Sequence, residues 1–251
     1  MTQNMLQLNS DKTEIILFGT SQQLSKLEGL TFNSAGDIII PNPCVRNLGV
    51  LFDNNLSMKH HISEVCRLSF YHLRNIAHIR RYLTFDAART IIQALVCSRI
   101  DWNNSLYYGL PNTQLQRLQR VQNAAARIIM MRRKFDHVTP ILKELHWLPV
   151  TSRVLFKMLV LAYKCVHGDA PSYLSDLITH KVNSSFNLRS NYVPLLLQPR
   201  RTNLVYGGDR AFCAAAPREW NNLPLRIRTS ESIVVFKSQL KTYLFIKSYF
   251  T

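Results

Sequence analysis

Acidic side chains are scarce in this chain: 15 Asp plus Glu stand against 31 Lys plus Arg, a formal charge of +16 over 251 residues. Glycine is sparse too, at eight, and with only ten prolines the collagen-like and low-complexity classes are excluded. No uncharged apolar run approaches the ~18 residues of a membrane span. The most apolar stretch, Leu155 to Val166, is interrupted by Lys157 and Lys164. The opening MTQNMLQLNS has neither the basic start nor the apolar centre of a signal peptide. Cys44, Cys66, Cys97, Cys165 and Cys213 occur without a C-x-x-C, and the eight histidines do not fall at finger-like spacing from them. His60, His61 and Cys66 are the one close grouping, and they read as a helix-start surface rather than as metal ligands. These absences predict a reduced, metal-free chain that is intracellular, nuclear or cytoplasmic, neither secreted nor membrane-bound.

Enzyme signatures are missing as well. There is no G-x-x-x-x-G-K, G-x-G-x-x-G, G-x-S-x-G or H-E-x-x-H. Two-metal phosphoryl chemistry needs converging carboxylates to hold two divalent ions about 4 Å apart, and no two aspartates are adjacent anywhere. Read from its residues alone, the chain holds no catalytic constellation.

What is present is apolar enough to fold. Hydrophobic residues make up 47% and charged residues 18%, which excludes intrinsic disorder. The charge is uneven. Residues 1–60 hold four basic side chains (Lys12, Lys26, Arg46, Lys59) and five acidic ones (Asp11, Glu14, Glu28, Asp37, Asp53), a net −1. The rest, with 27 basic and ten acidic residues, carries +17. A body that basic repels itself unless an anion neutralises it, and a polyphosphate backbone is the common partner.

Periodicity divides the chain at the same place. Up to about residue 60 short apolar runs alternate with turn residues, predicting strands at Glu14 to Phe18, Asp37 to Ile40 and Val45 to Phe52, the last with Gly49 inside it. From about 61 the spacing is helical, through Ile62, Val65, Ser69, Leu73 and Ile76 to Tyr82. Thr84 stands as an N-cap for a helix to about Tyr108, stopped by Gly109, Leu110 and Pro111. Further helices are predicted near 112–131, 139–147 and 151–167, the last with Gly168 just after its C-cap, and a brief one follows Pro171. Residues 180–201 read as an exposed loop, followed by a hairpin near Asn203 to Tyr206 and a helix near Arg210 to Trp220. A terminal helix is capped by Ser230 or Ser232, with Ile233, Phe236, Leu240 and Tyr243 as its stripe.

The helix near 112–131 carries the sharpest pattern. Projected at 100° per residue from Arg117, the residues Leu118, Val121, Ala125, Ile128 and Ile129 fall between roughly 20° and 120°. Arg120 and Arg127 fall at about −60° and −80°, so with Arg117 they make a basic strip beside the apolar face. Arg132, Arg133 and Lys134 extend the charge past the helix end. One face packs and the neighbouring one meets phosphates, or the strip is solvated, with its terminal cations favoured by the helix dipole.

At this density of motifs the chain resembles the later part of the reverse transcriptase of non-LTR (LINE-type) retrotransposons, in particular the Jockey and chicken-repeat group. LQLNSDKTEIILFG at 6–19 looks like that family's fourth polymerase block, with its Asn-x-x-Lys-Thr-Glu at Asn9, Lys12, Thr13 and Glu14. VRNLGVLFDNNLS at 45–57 looks like the fifth block, the primer grip, built around Leu48, Gly49, Val50 and Asp53. The match runs on through ALVCSRIDWNNSLYYGLP, LQRLQRVQNAAARII, TPILKELHWLPVTSR, GDRAFCAAAPREWNNLP and FKSQLKTYLF, covering nearly the whole chain.

The resemblance implies an α+β, predominantly helical protein: residues 1–60 the last strands of a polymerase palm, 61–180 a helical thumb, and 181–251 the family's mixed, mostly helical C-terminal region. It implies that Lys12 is the family's general acid for the leaving pyrophosphate, and that the thumb grips RNA, DNA or a hybrid duplex without sequence preference. The family's metal-binding aspartates, which hold Mg²⁺ in the intact enzyme, lie upstream of Asn9. The implied chain is therefore a 5′-truncated copy with no cofactor, no metal and no polymerase activity, its palm strands left with exposed edges. A domesticated basic interaction protein, or a relic with no selected role, is the alternative expectation.

Overall fold

The computed structural model describes residues 9, 12–34, 37–181, 195–199 and 208–250. The chain is α+β and mostly helical, and it divides into two compact units, residues 1–64 and 65–251.

In the first unit, Thr20 caps the one-turn helix α1 (Ser21–Ser25) through a capping box with Gln23. Strands β1 (Phe32–Ser34) and β2 (Asp37–Ile39) pair antiparallel, with Phe32 opposite Ile39. Strands β3 (Cys44–Asn47) and β4 (Val50–Asp53) form a second antiparallel pair, Asn47 opposite Val50. The run expected as one strand from Val45 to Phe52 is thus a tight hairpin. Leu48 (φ 46°) and Gly49 (φ 83°) are its two loop residues, both left-handed, which is the twist that two-residue hairpin loops require. The expected strand at Glu14 to Phe18 is extended chain outside any sheet. Its ties include Asn42 N–H to the Ile15 carbonyl at 2.7 Å, the Asn42 amide to the Glu14 carboxylate at 3.2 Å and Gly19 N–H to the Asn54 carbonyl at 3.1 Å.

Helix α2 (Lys59–Ile79) begins in the first unit and runs into the second. Its buried positions, Ile62, Val65, Cys66, Ser69, Leu73 and Ile76, keep the helical spacing read from the sequence. In the second unit, Thr84 caps α3 (Phe85–Ile92), its side chain accepting from Ala87 N–H. The single helix expected to Tyr108 is broken instead. α3 passes through a π-helical turn at Gln93–Cys97 into α4 (Ser98–Asp101), and left-handed Asn103 leads to a 3-10 turn at Asn104–Tyr107. Next come α5 (Asn112–Ile129), α6 (Val138–Glu144), α7 (Val150–Val166) and α8 (Ser172–Ser175). The last helices are α9 (Phe212–Asn221), α10 (Leu225–Arg228) and α11 (Ile233–Tyr249). Pro111, Pro149, Pro171 and Pro224 each sit in extended conformation immediately before a helix. A proline ring fixes φ and gives up an N–H that the first turn would leave unbonded, so these residues start helices as much as they stop them.

Three helices build one core cluster of the second unit. α7 packs against α9 and α11, and Tyr163, Trp220 and Phe236 meet at its centre, all at most 2% exposed. The Tyr163 and Phe236 rings stack at 4.4 Å between centroids, Trp220 and Phe236 lie 5.8 Å apart, and the Tyr163 hydroxyl donates to the Ser230 carbonyl at 3.0 Å. Residues 148–178 and the C-terminal helices therefore share a core cluster, and residues 65–251 form one compact unit across the boundary expected at 180/181. The expected loop at 180–201 is partly inside it: Leu196 is 1% exposed and exchanges backbone hydrogen bonds with the Asn221 side chain at 2.9 and 2.8 Å. The hairpin expected near Asn203 to Tyr206 lies outside the described residues.

Ser232 caps α11, accepting from Val235 N–H, and Gly168 (φ 75°) closes α7, donating to the Cys165 carbonyl. Gly109 (φ 69°) is required twice over, because a Cβ there would meet Arg210 Cγ at 2.5 Å. Arg210 donates to the Tyr108 carbonyl at 3.1 Å, and the Tyr108 hydroxyl donates to Glu219 at 2.6 Å. The blocks around Leu106–Leu110 and 208–220, far apart in sequence, thus meet in space.

Candidate nucleic-acid interface

A buried arginine organises the surface. α2 ends in a 3-10 turn at Arg80–Tyr82, and Arg80, 9% exposed, turns its guanidinium inward. Nε donates to the Ile128 carbonyl at 2.9 Å, Nη2 to that of Ile129 at 2.6 Å and Nη1 to that of Leu83 at 2.8 Å. The last carbonyls of a helix have no intrahelical donor, and they form the negative end of its dipole. One cation answers both needs at the end of α5 and ties that end to the turn after α2.

Just past both ends, the chain turns outward. Arg81, Arg132, Arg133 and Lys134 are exposed, as are Tyr82 at 73% and Phe135 at 90%. Arg81 lies 4.7 Å over the Tyr82 ring and Lys134 5.7 Å from that of Phe135. The loop carrying three of these cations is held in place. Left-handed Met131 (φ 50°) reverses the chain, with Arg132 N–H donating to the Arg127 carbonyl at 2.9 Å. Arg133 N–H donates to the Asp136 carboxylate at 2.9 Å, and Arg127 grips the Asp136 carbonyl through Nε and Nη2 at 3.1 and 2.9 Å. Exposed cations beside exposed aromatic faces can take phosphates and stacked bases together.

The six cations expected along and beyond the helix therefore divide. Arg120, Arg132, Arg133 and Lys134 face solvent. Arg127 is half-buried and holds its own loop; Arg117, also half-buried, donates to Gln114 at 3.2 Å. Of the strip Arg117–Arg120–Arg127 expected to meet phosphates, two members are turned to local acceptors and Arg120 faces solvent. Arg80, Arg81, Tyr82 and Phe135 escaped the helical projection. Their signal was a repeated pattern, Arg-Arg-Tyr at 80–82 and Arg-Arg-Lys-Phe at 132–135, each directly after an amphipathic helix.

The other expected site residues lie in the first unit. Lys12 is exposed, in a turn where the Asn9 carbonyl accepts from Lys12 N–H at 3.2 Å and from the Thr13 hydroxyl at 2.8 Å. Leu48 is 81% exposed at the hairpin tip beside Gly49, while Val50 is buried. Asp53, 7% exposed, accepts from Ser57 N–H and Oγ at 2.8 and 3.1 Å and so closes the turn after β4. Val50 and Asp53 shape the backbone here, whereas Leu48 and Gly49 are exposed.

Among the described residues, no three His, Cys, Asp or Glu side chains gather to hold a metal ion. No described helix is long and apolar enough to cross a membrane. Burial pushes the Cys97 thiol up to about 11, and it raises Cys44, Cys66 and Cys165 as well. A raised thiol supplies little thiolate near neutral pH. Compared with protein-family models, curated proteins and solved structures, the chain matches none.

Proposed function

We propose that this chain is a nucleic-acid-binding piece of a non-LTR retrotransposon reverse transcriptase, its helical unit acting as a thumb that holds the backbone of RNA, DNA or a hybrid duplex without reading sequence. The observation that carries this reading is the gathering of Arg81, Arg132, Arg133 and Lys134 on the two segments that Arg80 ties together, with Tyr82 and Phe135 exposed among them. Four exposed cations suit phosphates spaced along a strand, and no nearby carboxylate chemistry is needed for such a role. The +17 carried beyond residue 60 supports the same reading, as does the order of sequence blocks along the chain.

The test is the salt dependence of binding by the full chain, followed by fluorescence anisotropy on a hybrid duplex. Replacing Arg81, Arg132, Arg133 and Lys134 with Gln should flatten the slope of log affinity against log salt by roughly 3 to 4. Those side chains point outward, so the fold should be unaffected. An unchanged slope would overturn the assignment of this surface.

A further inference from the structure

A second feature of the helical unit shares no residue with that surface. An open cavity of about 650 Å³ lies among α3, α7, α11 and the chain after α6, within the size range of small-molecule sites. Three cations converge on it from three different helices: Arg89 of α3, Lys157 of α7 and Lys241 of α11. None of the three forms an ion pair among the described residues. Helical spacing cannot explain this gathering, because the side chains come from segments far apart in sequence. Asp101 and Glu144 also line the cavity, but with Arg153 the lining holds four cations to two carboxylates, and that excess of positive charge attracts an anion.

The walls are aromatic. Trp147, 7% exposed, and Phe156 line the cavity. Arg153 lies 5.4 Å over the Trp147 ring, held there by Asp101 at 2.7 Å and by the Leu148 carbonyl at 3.0 Å. Asn104, also lining the cavity, is 5% exposed; its amide donates to Asp101 at 3.4 Å, and its Oδ1 accepts from no group among the described residues. A buried acceptor left without a donor is costly in a folded chain. Irregular backbone clusters at the same place. The π-helical turn opens at Gln93, and His146 sits in the left-handed region at φ 52°; both residues line the cavity. Such departures persist where the surrounding structure enforces them, and they concentrate at binding sites.

We propose that this cavity binds a nucleoside phosphate, its phosphate held by Arg89, Lys157 and Lys241 and its base placed against Trp147 and Phe156, where a base N–H reaches Asn104 Oδ1. The same chemistry is offered by a free nucleotide and by the phosphorylated end of a strand.

Calorimetric titration of the full chain with AMP is the test, with adenosine and inorganic phosphate as the two halves of the ligand. AMP should bind saturably, and each half at least about tenfold more weakly. Arg89→Gln with Lys241→Gln should weaken AMP about tenfold or more at unchanged Tm, since both side chains are exposed; Lys157→Gln alone should give a smaller loss. A 5′-phosphorylated oligonucleotide that competes with AMP, where its 5′-hydroxyl counterpart does not, would identify a strand end as the source; AMP binding without that competition would identify a free nucleotide. The proposal fails if AMP gives no saturable heat up to about 5 mM, if inorganic phosphate binds as tightly as AMP, or if the double variant binds AMP like the parent. The variant lacking the four cations of the other surface should bind AMP normally, so the two assignments stand or fall separately.

Discussion

The two units are held together by different means. Among the described residues of the first, Val50, Met58 and Ile62 are the buried hydrophobic side chains, and much of its order comes from backbone turns, caps, two two-stranded ladders and the Arg46–Glu64 ion pair. In the second, three helices close on a cluster of rings with almost no exposure. The sequences do not differ in kind, since the first unit has apolar runs of its own. It differs in that, among the described residues, nothing covers the apolar side chains of and just after β2: Ile38 stays 72% and Ile40 69% exposed. A two-stranded ladder is marginal in water without something to pack on. An apolar pattern stabilises a chain only where another element covers it.

Hydrogen exchange should draw the contrast most widely. Amides of α7 should exchange about a thousandfold more slowly than those of β3 and β4. Comparable protection in both would break the distinction. Trp220→Ala should come next, lowering the urea stability of the helical unit by about 3 to 5 kcal/mol through the cavity it leaves, with the hairpin of the first unit unaffected. Loss of both units together would mean that they fold as one. Gly109→Ala should cost about 2 kcal/mol, because a Cβ at φ 69° both strains the backbone and displaces Arg210; a stable variant would show that the Arg210 contact to Tyr108 gives way easily.

The smallest effect belongs to the first unit. Burial lowers the pKa of His61 below its usual 6.5, and its neutral Nδ1 accepts from Leu51 N–H at 3.4 Å. The unfolded chain then binds a proton more readily than the folded one, so this contribution is complete above about pH 6.5 and is lost as pH falls through the lower folded value. NMR shifts of Leu51 and its hairpin neighbours should move over that window, and His61→Gln should remove the response.

Legibility followed range. Thr84, Ser232 and Gly168 act within a few residues of themselves, and their roles could be read from the sequence. The helical spacing of α2, α5 and α11 was legible for the same reason. The loop at Leu48–Gly49 was not, because a leucine at a left-handed position carries no turn signature and the flanking residues continue a strand-like pattern. The candidate surface was half legible. Helical projection finds which way a Cβ leaves the helix, yet the end of an arginine goes wherever an acceptor waits. Arg127 finds the Asp136 carbonyl and Arg80 finds Ile128 and Ile129, 48 and 49 residues away. The cavity cations were invisible to periodicity, since α3, α7 and α11 are brought together only by the fold.

The ring cluster around α7 also sets a timetable. The Tyr163 hydroxyl waits for a carbonyl 67 residues further along, and Tyr249 returns to Trp147 across 102. Contacts of such span close slowly, because the intervening chain must be ordered before they repay it. During synthesis α7 leaves the ribosome long before Trp220, Phe236 and Leu240 exist to cover it. Its apolar face stays open to chaperones and to other chains until the final helix has been released. Premature termination anywhere before α11 would leave that face uncovered for good.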